Sequence, residues 1–149
     1  MKNFLAALAV LVAVSSAQAA LSDFTGKYSL RNCSFEGSRA YVGYKRNKVG
    51  NTTGLQINVY GEDAAILELD LQGSSTENPN FKLGNPIQSV LVVVQFDGQK
   101  LVNRTVHVYA TGAKKLASTE ALSLTKSGLS YVKSDEFHKM SEQCTFVRE

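Results

Sequence analysis

The chain contains no tryptophan and only two prolines, two cysteines and two histidines in 149 residues. Two histidines leave few ways to assemble a catalytic triad or a histidine-rich metal centre, and two cysteines cannot make a four-cysteine zinc cluster. Neither sign of charge dominates. Sixteen Lys and Arg stand against 13 Asp and Glu, for a net charge of +3. The densest basic cluster, Lys45-Arg46-Asn47-Lys48, reads as a solvated hairpin tip. Nucleic-acid binding asks for a broad basic face, usually with aromatics interleaved, so no nucleic-acid partner is expected. The motifs G-x-S-x-G, H-E-x-x-H, G-x-G-x-x-G and the P-loop are all absent. No enzyme activity and no cofactor is therefore expected. Long apolar runs are absent beyond residue 14; residues 90–94 are the strongest later run, and they are strand-sized, so no membrane span follows the N-terminus.

What is present at the N-terminus is an export signal. Met1-Lys2-Asn3 is a short basic start, residues 4–14 are apolar, and Ala17 and Ala19 form an A-x-A site. Eleven apolar residues are too few for a span of about 20, whereas a basic, apolar and small-residue order is that of a secretory leader. Residues 1–19 are expected to be removed and residues 20–149 to form one domain, of ordinary single-domain size. The leader is bacterial in style, which places the mature chain in the periplasm or the medium.

Export gives the cysteines a meaning. In an oxidising compartment an even count reads as a disulfide, so Cys33 and Cys144 are expected to pair. The bridge would close nearly the whole mature domain, and a loop of about 100 residues gains ~4–5 kcal/mol in the chain-entropy model.

Period-two alternation runs through the mature chain. Tyr28 and Leu30 alternate with Lys27, Ser29 and Arg31. Leu55, Ile57 and Val59 alternate with Gln56 and Asn58. Val90, Val92, Val94 and Phe96 line one face of an apolar strand. Val102, Val106 and Val108 share a face with Arg104, and Leu116, Leu122 and Leu124 share one with Ser118 and Glu120. Such runs are half-buried antiparallel strands. Asp97-Gly98 and Ser127-Gly128 mark tight turns, and residues 134–142 are the best place for a short helical turn. The pattern predicts an all-β domain, a single antiparallel meander of about 8–10 strands, closed as a barrel in preference to a sandwich. Residues 72–89, with Pro79 and Pro86, form the longest stretch of low strand propensity. It is expected to pack down through Phe81 and Leu83 as a functional connection over the barrel mouth.

Phe24-Thr25-Gly26-Lys27-Tyr28 opens the first strand after a short lead. It resembles the G-x-W start of lipocalin-like (calycin) barrels, with Tyr28 where that family has tryptophan. The resemblance implies an aromatic residue at the barrel base and a pocket at the mouth for a small apolar ligand.

The polar candidates are few. Arg104 and Glu120 each lie on a mainly apolar strand face, where a charge is costly unless paired. They either form a buried pair that orients a ligand, or reflect a slipped strand register or a barrel-end position near water. His107 falls on the polar face of its strand with Asn103, Thr105 and Tyr109. His138 lies near Asp135, Glu136 and Glu142 without a recognised ligand spacing, so no metal site is expected. Six tyrosines (Tyr28, Tyr41, Tyr44, Tyr60, Tyr109 and Tyr131) fall in strands, either filling a barrel or forming a stacking surface for sugars or peptides. Asn51-Thr52-Thr53 and Asn103-Arg104-Thr105 match glycosylation sequons. The functional expectation is a small exported binding module that holds a small apolar or amphipathic ligand. Arg104, Glu120, Tyr28 and Phe81 are the candidate ligand residues. The alternative is an envelope structural or protein-interaction domain with a filled barrel.

Overall fold

The computed structural model describes residues 20–61, 64–81 and 85–149. The expected leader, residues 1–19, and Leu83 lie outside the described residues. The domain begins with a helical turn at residues 20–22, and ten strands follow: β1 (Gly26–Arg31), β2 (Arg39–Arg46), β3 (Thr52–Tyr60), β4 (Ala65–Asp70), β5 (Ser74–Glu77), β6 (Ile87–Phe96), β7 (Lys100–Tyr109), β8 (Lys114–Thr125), β9 (Gly128–Asp135) and β10 (Met140–Arg148). All belong to one antiparallel sheet in the order β4-β3-β2-β1-β10-β9-β8-β7-β6-β5. The all-β meander is as expected. Only one neighbouring pair, β1 with β10, is distant in sequence, and it joins the two ends of the domain.

The sheet is not closed. Its edges are β4 and β5, and among the described residues no ladder joins them. The expected closed barrel is corrected to an open sheet that curls on itself. The two edge strands are consecutive in the chain, so a continuous ladder gives way to a bend at residues 71–73. At that bend the side chain of Asn103 on β7 reaches the backbone of Asp70 on β4.

Alternation decides which side chains enter the curl. Val42 on β2, Leu55, Ile57 and Val59 on β3, Leu69 on β4, Leu101 on β7, Leu122 on β8, Leu129 and Tyr131 on β9 and Cys144 and Phe146 on β10 are all buried there. Leu21 and Phe24 join them from the segment before β1. Phe35, in the segment after β1, packs edge-on to Tyr131, with centroids 6.2 Å apart. Segments of the chain therefore pack against the core from both ends of β1. Burying one such large apolar side chain is worth about 1.5–3 kcal/mol.

Cys33 and Cys144 are bonded across a separation of 111 residues. The bridge pins the β1–β2 connection to β10. The Asp97-Gly98 turn lies between β6 and β7 as expected. Gly98 takes the left-handed region, at φ 91°, and Asp97 Oδ1 accepts from the backbone N–H groups of Gln99 and Lys100 at 2.9 and 2.8 Å.

Two expected connections are different. Residues 72–89 contain β5 and the start of β6, so this segment extends the sheet edge instead of covering a mouth. Residues 134–142 give no helical turn: β9 continues to Asp135, β10 starts at Met140, and Asp135 Oδ1 caps the reversal by accepting from the N–H groups of Phe137 and His138.

Candidate functional site

The four candidate ligand residues do not converge. Tyr28 is fully buried at the start of β1. Its hydroxyl donates to the Phe24 carbonyl at 2.8 Å and accepts from Arg148 Nη2 at 2.8 Å. The Arg148 guanidinium lies 5.2 Å from the Tyr28 ring centroid and also donates to the carbonyls of Thr25 and Asp23. Burial pushes the Tyr28 phenol upward and the nearby Arg148 charge opposes that shift. Strand register explains the meeting, since Tyr28 and Arg148 are directly opposed across β1 and β10. Cation–π contact and hydrogen bonding together tie the last strand to the first.

Glu120 lies on the inner face, and Arg104 does not face it. Asn103 is the residue opposite Glu120, while Arg104 opposes Thr119 on the other side of the sheet. The register therefore decides against the buried Arg104–Glu120 pair: the two residues stand on opposite faces of the sheet. Arg104 instead hydrogen-bonds Gln95 on the outer face of β6 and β7. There the two residues line an open groove of about 620 Å³ with Val102 and Lys100. A bulge adds a further correction. Thr105 pairs with Ser118 but Val106 pairs with Leu116, which leaves Ala117 as an extra residue. The extra residue reverses the alternation, so Leu116 leaves the face of Leu122 and is exposed.

Glu120 belongs to a polar row that the sequence did not reveal. Asn103, Glu120, Lys133 and Glu142 are successive register partners across β7, β8, β9 and β10. Tyr131 donates its hydroxyl to Glu120 Oε1 at 2.6 Å. Burial raises the Glu120 carboxyl above the ordinary range, and the Tyr131 hydrogen bond and the Lys133 charge partly offset this. Burial and the Glu120 carboxylate both push the Tyr131 phenol strongly upward. Only the register between these four neighbouring strands assembles this row.

Phe81 is half-buried in the β5–β6 connection. It borders an open cleft of about 380 Å³ with Glu77, Asn78, Pro79 and Gln88, and neither Tyr28 nor Glu120 lines it. His107 shares its face with Asn103, as expected, but that face is the inner one. Its ring stacks on Phe137 at 5.2 Å, and its Nδ1 is buried without a hydrogen-bond partner. Of the charged residues near His138, only Asp135 meets the ring, at 2.8 Å. The backbone N–H and the ring of His138 hold the Asp135 carboxyl below its ordinary value. No group of potential metal ligands forms among the described residues. The sequon residue Asn103 is buried with its amide occupied, which leaves no room for a glycan there; Asn51 is exposed.

The tyrosines divide between the faces. Tyr28 and Tyr131 are buried inside, whereas Tyr41 on β2 and Tyr60 on β3 are 44% and 55% exposed outside. Among the described residues no helix is long and apolar enough to cross a membrane. Compared with known proteins, the chain matches no family model, no curated protein and no solved structure.

Proposed function

We propose that this chain is a small exported, non-enzymatic binding module that meets its partner on its outer surface, with its interior filled. The observation that carries this reading is the inner face of the sheet. Phe24, Tyr28, Tyr131 and Phe146 are all without solvent exposure there, and a ligand carrier would keep that space as a cavity of a few hundred Å³. Export to the periplasm or the medium is supported by the leader sequence and by the Cys33–Cys144 bond, because such bonds persist in oxidising compartments.

A second reading keeps the lipocalin-like resemblance and a small apolar or amphipathic ligand. Two observations favour it: Tyr28, in the family-like start, is a buried aromatic residue, and the inner row of Glu120, Lys133 and Glu142 could hold a polar head group.

Native mass spectrometry of the protein purified from its own source tests both. The filled-core reading expects no small apolar molecule to travel with the chain. A stoichiometric lipid-sized adduct would replace it with the second reading. Intact mass of the same sample checks export: loss of residues 1–19 is expected, and a retained leader would overturn that part.

A further inference from the structure

The outer face of β2 and β3 carries two water-facing tyrosines side by side. Tyr41 is opposed by Asn58, and Arg39 is opposed by Tyr60 one step along the same face. Tyr41 and Tyr60 are thus diagonal cross-strand neighbours, a spacing that aromatic side chains can bridge. The fold does not need them there, because Val42, Ile57 and Val59 supply the buried face of the same strands.

The residue beneath Tyr41 shapes the surface. A Cβ placed on Gly43 would lie 2.9 Å from Cε1 of the Tyr41 ring. The ring lies against the glycine and stays exposed, and a side chain at position 43 would displace it. Polar groups surround the ring. Lys27 opposes Tyr41 from β1. Glu149 accepts from Ser29 Oγ at 3.1 Å and lies 3.6 Å from Arg39 Nε. Tyr41, Tyr60, Lys27, Arg39 and Glu149 border a cleft of about 420 Å³.

Two exposed tyrosines beside donors and a carboxylate match one ligand chemistry well. A pyranose ring has an apolar C–H face, which is drawn to the electron-rich face of an aromatic ring, and a rim of hydroxyls that donate and accept. A peptide strand would need a free sheet edge, and β2 is paired on both sides. Nucleic acid would need a stronger positive field than Lys27 and Arg39 provide beside Glu149. We infer that this face is a saccharide-binding platform: a pyranose ring stacks on Tyr41, Tyr60 flanks it, and Lys27, Arg39 and Glu149 engage its hydroxyl or carboxylate groups. This rests on the surface-binding reading given above.

Titration of the processed protein with a tetramer of N-acetylglucosamine, and separately with a uronate-containing hyaluronan tetramer, tests it. Amide resonances report the position of binding, and tyrosine fluorescence, free of tryptophan, reports affinity. Saturable shifts confined to β1–β3 are expected with at least one tetramer. Tyr41→Ala and Gly43→Val should each weaken binding by tenfold or more, while Tyr41→Phe stays within about threefold, since the aromatic face persists. Unchanged melting temperatures would show that the variants fold. Failure of both tetramers to shift these amides, or binding that survives Tyr41→Ala, would overturn the platform. A protein partner found by native mass spectrometry would then leave the surface-binding reading standing, whereas a ligand inside the sheet would overturn both.

Discussion

Asn103 on β7 and Asp70 on β4 are joined as two strands would be, but through a side chain. Asn103 Oδ1 accepts from the Asp70 N–H at 2.7 Å, and its amide nitrogen donates to the Asp70 carbonyl at 2.9 Å. Asp70 pairs with Gly54 on its other side, so its outward N–H and C=O would otherwise be bare at the edge of the sheet. A carboxamide carries one acceptor and two donors, which suits it to stand in for a peptide unit. This contact ties one edge strand to the inner face near the other end of the sheet and covers an edge that could otherwise recruit foreign strands.

Replacing Asn103 by Ala should therefore cost about 2–4 kcal/mol, from two lost hydrogen bonds and two buried or half-buried backbone groups left without partners. Asn103→Asp should be at least as harmful, because it removes the donor and sets a carboxylate against the Asp70 carbonyl. Urea denaturation gives the energy, and hydrogen exchange at the Asp70 amide should accelerate before the rest of the sheet opens. Protection unchanged at Asp70 would show that the contact does not hold the edge.

The Cys33–Cys144 bond should be worth about 2–5 kcal/mol. Cys33→Ser with Cys144→Ser should lower the unfolding midpoint accordingly. Freed mobility is expected first in the β1–β2 connection, where Phe35 rests on Tyr131. A double variant as stable as the parent would remove the bridge from the account of stability.

Glu120 gives the pH dependence a sign. Its carboxyl titrates higher in the folded state than in the unfolded chain because of burial. Its contribution to stability is thus complete below the ordinary glutamate range and is lost as pH rises through the raised folded value. Glu120→Gln keeps an acceptor for the Tyr131 hydroxyl and carries no charge. It should melt higher than the parent at neutral pH, by a few degrees, about the shift that 1 kcal/mol produces in a domain of this size. The gain should vanish in acid, below the unfolded pKa. A gain that is independent of pH would show that packing, not charge, is the cause.

Tyr28→Phe removes the acceptor for Arg148 and the donor to the Phe24 carbonyl while keeping the ring. About 1–3 kcal/mol should be lost, with β1 and β10 fraying at the end that carries Arg148. Parent-like exchange rates at those amides would place the clamp elsewhere.

Much of the strand content could be read from local pattern. The alternation Leu55, Ile57, Val59 names the buried face of β3, and Asp97-Gly98 names the hairpin between β6 and β7, because side-chain period and turn geometry are local properties. Residues 72–89 are harder: β5 is Ser74–Glu77, polar and exposed at every position, and nothing in its composition distinguishes it from a loop. The choice between a buried Arg104–Glu120 pair and a slipped register is open in the sequence for a different reason. Knowing each strand's alternation does not give the register between strands, and a one-residue offset exchanges the faces. The Ala117 bulge reversed one such alternation without leaving a mark that the pattern of β8 could show.

By itself, the sequence determined that the chain is a strand-rich meander, with a leader-like start and two cysteines available to clasp it. Those features depend on residues close together in the chain, or on composition alone. Tertiary structure decided that the sheet stays open, that Asn103 covers its edge, that Arg148 reaches Tyr28, and that Tyr41 and Tyr60 stand together outside. Each depends on the offset between strands and on the curl of the sheet. The packing of the whole core sets these, and no local run of residues contains them.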